Sequence, residues 1–359
     1  MKYEQTPYKM SQIDRLQLLT ENKTKFSTLE ELDKLSREYV YEESEDMPPS
    51  GIHLNQDGTF DVNGSTLNGT RYALKGLCKI LRIPNPFASR IPVDLLQKNI
   101  DRLGEEADFE AKFITRKDRT IVNFVKADFV GVPHPLLFEP LVEKYRGAEQ
   151  LGGFISDNWL AVSFTKGEGE TFKSFTGNSP NDHYDMGVVV INSPTGHITT
   201  QARVLLHRLV CMNQVIGPSN FDVVKCRPKP NRDLEAVVNN FIKGIDGLYY
   251  DLGQLQDMVK SMDRAITAKE LKSVFNAVKK ITGDMEFVDG EILQMDSTDR
   301  KEILTELRKF KQGQIEEPPT PDINLYDVFN NITEQAKTFD QEARYKLETY
   351  AGKLIGSQG

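Results

Sequence analysis

Thr176 to Asn213 reads TGNSPNDHYDMGVVVINSPTGHITTQARVLLHRLVCMN. It opens on a polar turn, continues through two apolar segments, Met186–Asn192 and His197–Leu205, and ends in a helix start at Arg208-Leu209-Val210-Cys211-Met212-Asn213. The β-branched run Val188–Ile191 favours strand, and Pro194 and Gly196 suit turn positions. The spacing therefore predicts an antiparallel hairpin over residues 186–205, turning at Ser193–Gly196. Upstream, Phe109–Thr115 and Arg119–Ala127 flank Arg116-Lys117-Asp118 as a second hairpin. Asn158–Thr165 and Thr171–Phe175 surround a Gly-Glu-Gly-Glu turn. Antiparallel strands with helices segregated to either side indicate an α+β fold, an antiparallel sheet core with flanking helices and a C-terminal helical region.

Residues 1–50 read as an N-terminal helical arm, with Ser27-x-x-Glu30 as a capping box and Leu29, Leu32, Leu35 and Tyr39 at helical spacing. The break Met47-Pro48-Pro49-Ser50-Gly51 separates it from a core domain over 51–232. That core opens on a hairpin centred at Asp57-Gly58, then helices near 71–81 and 92–104, and a later short helix over 136–145. From Asp233 to the end the pattern is helical. Leu234, Val237, Val238, Phe241 and Ile245 form one stripe, Thr267-x-x-Glu270 caps another helix, and a closing helix runs over 325–354.

The chain has 359 residues, 38% hydrophobic and 27% charged, with a formal net charge of −8. This suits a soluble globular protein with a sizeable core. No run reaches the roughly 18 apolar residues a bilayer span needs, and the first residues hold no apolar signal core, so a cytoplasmic location without membrane attachment is expected. Cys78, Cys211 and Cys226 lie at no metal-type spacing and suit buried, reduced thiols. The charge is uneven: residues 1–202 carry 23 bases and 29 acids, residues 203–232 carry 6 bases and 1 acid, and residues 233–359 carry 16 bases and 23 acids. A basic island thus sits between two acidic regions. A sequence pI of about 5.4 argues against indiscriminate polyanion binding.

Three segments carry a family resemblance. The Thr176–Asn213 stretch resembles the segment that marks the phage/plasmid-like protein family, a domain of unknown function widespread in phages and mobile elements. There an Asn-Ser-His-Asp-Gly-like turn precedes a strand and an Arg-Val-Val-Cys-x-Asn run follows. Arg71–Arg102, RYALKGLCKILRIPNPFASRIPVDLLQKNIDR, is similar to that family's amino-terminal signature, and Asn324–Glu334, NLYDVFNNITE, to its short Leu-Tyr helix. The three lie in the expected order over about 260 residues. Pro180-Asn181 interrupts the usual turn, moving the nearest histidine to His183, and Leu209 replaces a valine. The resemblance implies a protein encoded by a phage, acting in the host cytoplasm.

Several constellations bear on chemistry. His197, His207 and Cys211 lie close in sequence, the last two four apart on an expected helix, but no third and fourth metal ligand is evident. The paired motifs of a zinc deaminase are absent. Ser179, His183 and Asp185 supply the residue types of a triad without showing its geometry. Gly177–Asp182 most simply forms a tight turn. No nucleophile elbow, Walker loop or dinucleotide fingerprint occurs, and no cofactor is expected.

The basic island is the stronger candidate: Arg203, Arg208, Lys225, Arg227, Lys229 and Arg232, with Lys173 and Asn178 from the neighbouring turn. Its Pro-punctuated loop CRPKPNR cannot be regular helix, and an extended cationic loop can follow a phosphate backbone, gaining from counterion release. Phe172, Phe175, Tyr184 and Phe221 offer stacking faces for unpaired bases. The competing reading is a solvated loop whose cations pair with the acidic helices that follow. The sequence thus favours a phage-type, non-enzymatic protein of DNA metabolism that binds or anneals single-stranded nucleic acid and self-assembles into a homo-oligomer. A structural or host-interaction protein and a hydrolase remain the alternatives.

Overall fold

The computed structural model describes residues 18–19, 23–147, 149–165, 174–176, 183–208, 213–216, 223–248, 252–282, 324–339 and 341–356, with 305–306, 309 and 312–314. The chain opens with β1 (Lys23–Phe26), α1 (Leu29–Glu38), β2 (Tyr41–Glu43), β3 (His53–Leu54), β4 (Thr59–Val62) and β5 (Ser65–Asn68). Helices α2 (Arg71–Ile80), α3 (Asn85–Ala88) and α4 (Val93–Glu105) precede β6 (Ala111–Arg116), β7 (Ile121–Lys126) and α5 (His134–Lys144). Strands β8 (Glu149–Ser156), β9 (Leu160–Thr165), β10 (Ser174–Thr176), β11 (His183–Asn192), β12 (Gln201–Arg208), β13 (Asn213–Ile216) and β14 (Val223–Lys225) follow. The remainder is α6 (Leu234–Asp246), α7 (Leu252–Lys260), α8 (Ala268–Thr282), α9 (Leu325–Ala336) and α10 (Gln341–Gly356). Antiparallel sheets with flanking helices and a C-terminal helical region make this an α+β fold.

The main sheet runs β1-β8-β9-β11-β12-β13, with β10 also paired to β11 and β14 to β12. Its centre is the anticipated hairpin: Met186 pairs with Leu206, Val188 with Val204 and Val190 with Ala202. The turn closes through Gly196 N–H donating to Ser193 O at 3.1 Å. Gly196 has φ 79°, where a side chain would be strained and would also meet the Phe129 ring. The run 186–191 is apolar without alternation because β11 is covered on both faces. Val188 and Val190 join a cluster with α1, α5 and α6 residues, Tyr184 and Met186 join one with α7–α10, and Val189 and Ile191 pack with Phe154, Trp159 and Leu205. Two smaller sheets, β2-β6-β7 and β3-β4-β5, belong to the amino-terminal third.

Several expectations are corrected. The described residues of the 1–50 region do not form a separate arm: β1 pairs with β8, β2 pairs with β6, and Leu32 is fully buried in the cluster that contains Val188 and Val190. The first capping box is shifted by one, since Thr28 is the N-cap accepting from Glu31 N–H, while the Glu31 carboxylate accepts from Ser27 N–H at 2.7 Å. The Asp57-Gly58 hairpin is a three-stranded meander with a second turn at Asn63-Gly64. Arg208 does not begin a helix, because β12 continues through it, paired with Tyr184 on one side and Asn213 on the other; Leu209–Met212 of the expected helix start lie outside the described residues. The closing helix is two helices, α9 and α10. The 51–232 and 233–359 regions share a core, tied by the Tyr184 and Tyr326 hydroxyls at 2.9 Å. The Thr267–Glu270 capping box forms as expected, with Thr267 N–H donating to Glu270 Oε2 at 3.0 Å and Glu270 N–H to Thr267 Oγ1 at 3.3 Å.

One buried group makes stability depend on pH. His134, in the first turn of α5, is 1% exposed, its Nδ1 lies 3.2 Å from Asn192 Nδ2, and its Nε2 is buried without a hydrogen-bond partner among the described residues. Burial holds the imidazole down to about 3 from an ordinary 6.5. The fold therefore takes up the proton last, and its stability is complete above pH 6.5 and declines as pH falls below that value. At pH 5 this linkage costs about 2 kcal/mol relative to pH 7.5. Urea unfolding at the two pH values is expected to show that loss, and His134→Leu to lack it. An equal loss in the variant would assign the effect to other groups.

Candidate nucleic-acid interface

Helix α2 is amphipathic in the way that builds a charged wall. Thr70 caps it by accepting from Ala73 N–H at 3.2 Å, and Leu74, Leu77 and Cys78 are buried against the amino-terminal core. Lys75, Lys79 and Arg82, at i, i+4 and i+7, are carried away from that core. They face a cleft of about 830 Å³ bounded by α2 and β7 on one side, by the turn 193–200 and residues 226–228 on another, and by Tyr345 and Lys346 of α10. Its described lining carries six cations, Lys75, Lys79, Arg82, Lys126, Arg227 and Lys346, against one carboxylate, Asp128.

The aromatic lining is anchored by packing. Lys75 Nζ sits 4.6 Å from the centre of the Tyr72 ring, and Tyr72 meets His197 edge-on at 5.0 Å. Trp159, the one tryptophan of the sequence, lies 5.1 Å from Tyr345 and 4.5 Å from Phe154. The 193–200 wall is fixed by Ser193 Oγ, which donates to Asn158 O at 2.5 Å and accepts from His197 N–H at 2.9 Å, and by Asn123 Nδ2 donating to Thr195 O at 2.5 Å. Residue 226 is pinned by Cys226 N–H donating to Thr200 O at 2.9 Å. Burial raises the Cys226 thiol to about 11 and the Cys78 thiol to about 12, as expected of buried structural thiols.

The structure disperses the basic island. Arg227 alone of its described members lines the cleft. Arg203 is half-buried on β12 with Nε 3.4 Å from Gln201 Oε1, and Arg208 ends β12. Lys225 is exposed at the end of β14, and Lys229 and Arg232 are exposed in the turn before α6. CRPKPNR is not helical, as anticipated, but only residues 226–229 run without a turn: Arg232 N–H donates to Lys229 O at 3.2 Å and Asn231 is left-handed at φ 63°. Tyr184 cannot stack on a base, being fully buried with its hydroxyl on Tyr326. Phe175 is placed on β10 by its backbone. Lys173, Asn178, Phe172 and Phe221 lie outside the described residues, as do Ser179 and Cys211. His207 stands on β12 rather than on a helix, so the four-residue spacing to Cys211 does not place the two on one helical face.

Lys75, Lys79, Arg82, Lys126 and Lys346 of the cleft lie outside the basic island of residues 203–232. A local signal existed for the first three: between Asp61 and Asp94 the chain carries five cations and no carboxylate. Among the described residues no group of three or more His, Cys, Asp and Glu side chains gathers to hold a metal ion: His183 pairs across to Thr176 of β10, Asp185 to His207 of β12, and His197 lies in the cleft wall. No described helix is long and apolar enough to cross a membrane. Comparison with protein-family models, with curated proteins and with solved structures returned no match.

Proposed function

We propose that the protein binds single-stranded nucleic acid in this cleft without acting on it covalently. The observation that carries the reading is one cleft lined on every side by cations and rings: six positive side chains beside Tyr72, Phe129, Trp159 and Tyr345, on a chain whose net charge is −8. A polyanion gains there from counterion release, and unpaired bases gain from stacking. The resemblance to the phage/plasmid-like family supports a role in phage DNA metabolism, single-strand protection or annealing, in the host cytoplasm. Annealing calls for a homo-oligomer.

The test is a salt titration of binding to single-stranded DNA, duplex DNA and RNA. Lys75→Gln/Lys79→Gln/Arg227→Gln is expected to weaken single-strand binding at low salt by roughly ten- to a hundredfold. It should also flatten the log–log salt dependence by about 0.7 for each phosphate left without its cation. Lys225→Gln/Lys229→Gln, outside the cleft, is expected to bind as the natural protein does. Trp159 fluorescence should report occupancy through Tyr345. No binding at low salt, or an unchanged slope in the triple variant, would overturn the reading in favour of an interaction protein.

A further inference from the structure

Helix α2 ends in a Schellman motif: Ile83 N–H donates to Cys78 O at 2.8 Å and Arg82 N–H to Lys79 O at 3.2 Å. The residue after the cap must then be left-handed, and glycine is the unstrained choice. This chain places Arg82 there, at φ 58°. Arg82 is exposed and lines the cleft, and Asn85, three residues on, lines it too. Next comes Phe87 on α3, 45% exposed while its neighbour Ala88 is buried. A strained cation at the cleft and an uncovered ring five residues later are two costs borne by one corner, and strain of this kind clusters at ligand-binding sites.

We propose that the Arg82–Phe87 corner is the lip of the cleft and holds one nucleotide of the bound strand outside it, with its phosphate on Arg82 and its base on Phe87. This rests on the single-strand reading above. A guanidinium suits the phosphate because its fork of donors matches the anion's oxygens. A ring exposed beside it offers a face to any base, which gives affinity without sequence preference.

The test separates strain from binding. Arg82→Gly is expected to raise Tm by a few degrees while weakening oligothymidylate binding several-fold and flattening the salt slope by about 0.7. Arg119, also left-handed at φ 63° but in the β6–β7 turn away from the cleft, is the matched control. Arg119→Gly should raise Tm similarly and leave binding unchanged. Phe87→Ala should weaken binding about tenfold, and Phe87→Trp should give a fluorescence signal quenched by the oligonucleotide. If Arg82→Gly and Phe87→Ala both bind like the natural protein while the Lys75/Lys79/Arg227 variant does not, the lip is overturned and the cleft stands. If that cleft variant also binds normally, both fall.

Discussion

Replacing Arg116 with Met is expected to lower the free energy of unfolding by about 3–5 kcal/mol, far more than a surface ion pair contributes. Arg116, the last residue of β6, is 13% exposed in its side chain, and its Nη1 lies 2.8 Å from Oδ2 of Asp157, itself 2% exposed. Its Nε reaches the exposed Asp118 carboxylate at 2.9 Å. Asp157 sits in the β8–β9 turn, where Ser156 N–H donates to Trp159 O at 3.0 Å. The pair therefore joins the β2-β6-β7 sheet to the main sheet close to Trp159 and the cleft. Removing the guanidinium takes from the buried Asp157 carboxylate the cation 2.8 Å away, and adding Asp157→Asn should restore much of the stability. Urea unfolding of the two single variants and the double variant measures the coupling. A loss below about 1 kcal/mol for Arg116→Met would show that water reaches Asp157.

Gly76→Ala is expected to destabilise by about 3 kcal/mol, although intrinsic helix propensity alone predicts a gain of about 1 kcal/mol. Helix α2 lies directly on β7 at this residue. A Cβ would stand 1.8 Å from Asn123 Oδ1 and 3.0 Å from the Phe124 carbonyl oxygen. Asn123 has no free direction to yield, because it is buried, accepts from Phe124 N–H at 2.9 Å and donates to Thr195 O in the opposite wall. The helix itself must shift, carrying Lys75 and Lys79 with it. Weaker oligonucleotide binding is thus expected in a variant that keeps every cation. Thermal unfolding decides the sign: a raised Tm would mean that propensity outweighs the steric clash and that α2 sits farther from β7.

Local signals placed the elements whose causes are local. The β11–β12 hairpin was legible because Val188–Ile191 and Pro194-Thr195-Gly196 state strand and turn within ten residues. So were the α2 and α4 helices, the β6–β7 hairpin and the Thr267–Glu270 cap. The end of β12 was not, because a short apolar run such as Leu209–Met212 is compatible with helix or strand on its own. Nor was β1, since Lys-Thr-Lys-Phe becomes a strand only where β8 offers its open edge. The polarity of α2 was likewise readable, with Leu74, Leu77 and Cys78 on one face and Lys75, Lys79 and Arg82 on the other. That Arg227 and Lys346 would meet them across one cleft, and that Arg203 and Tyr184 would not, was decided by the tertiary structure alone. Side-chain periodicity is set by neighbours a few residues apart, whereas convergence is set by which distant apolar faces bury one another. Here those faces bring α2, the β11–β12 turn and α10 together.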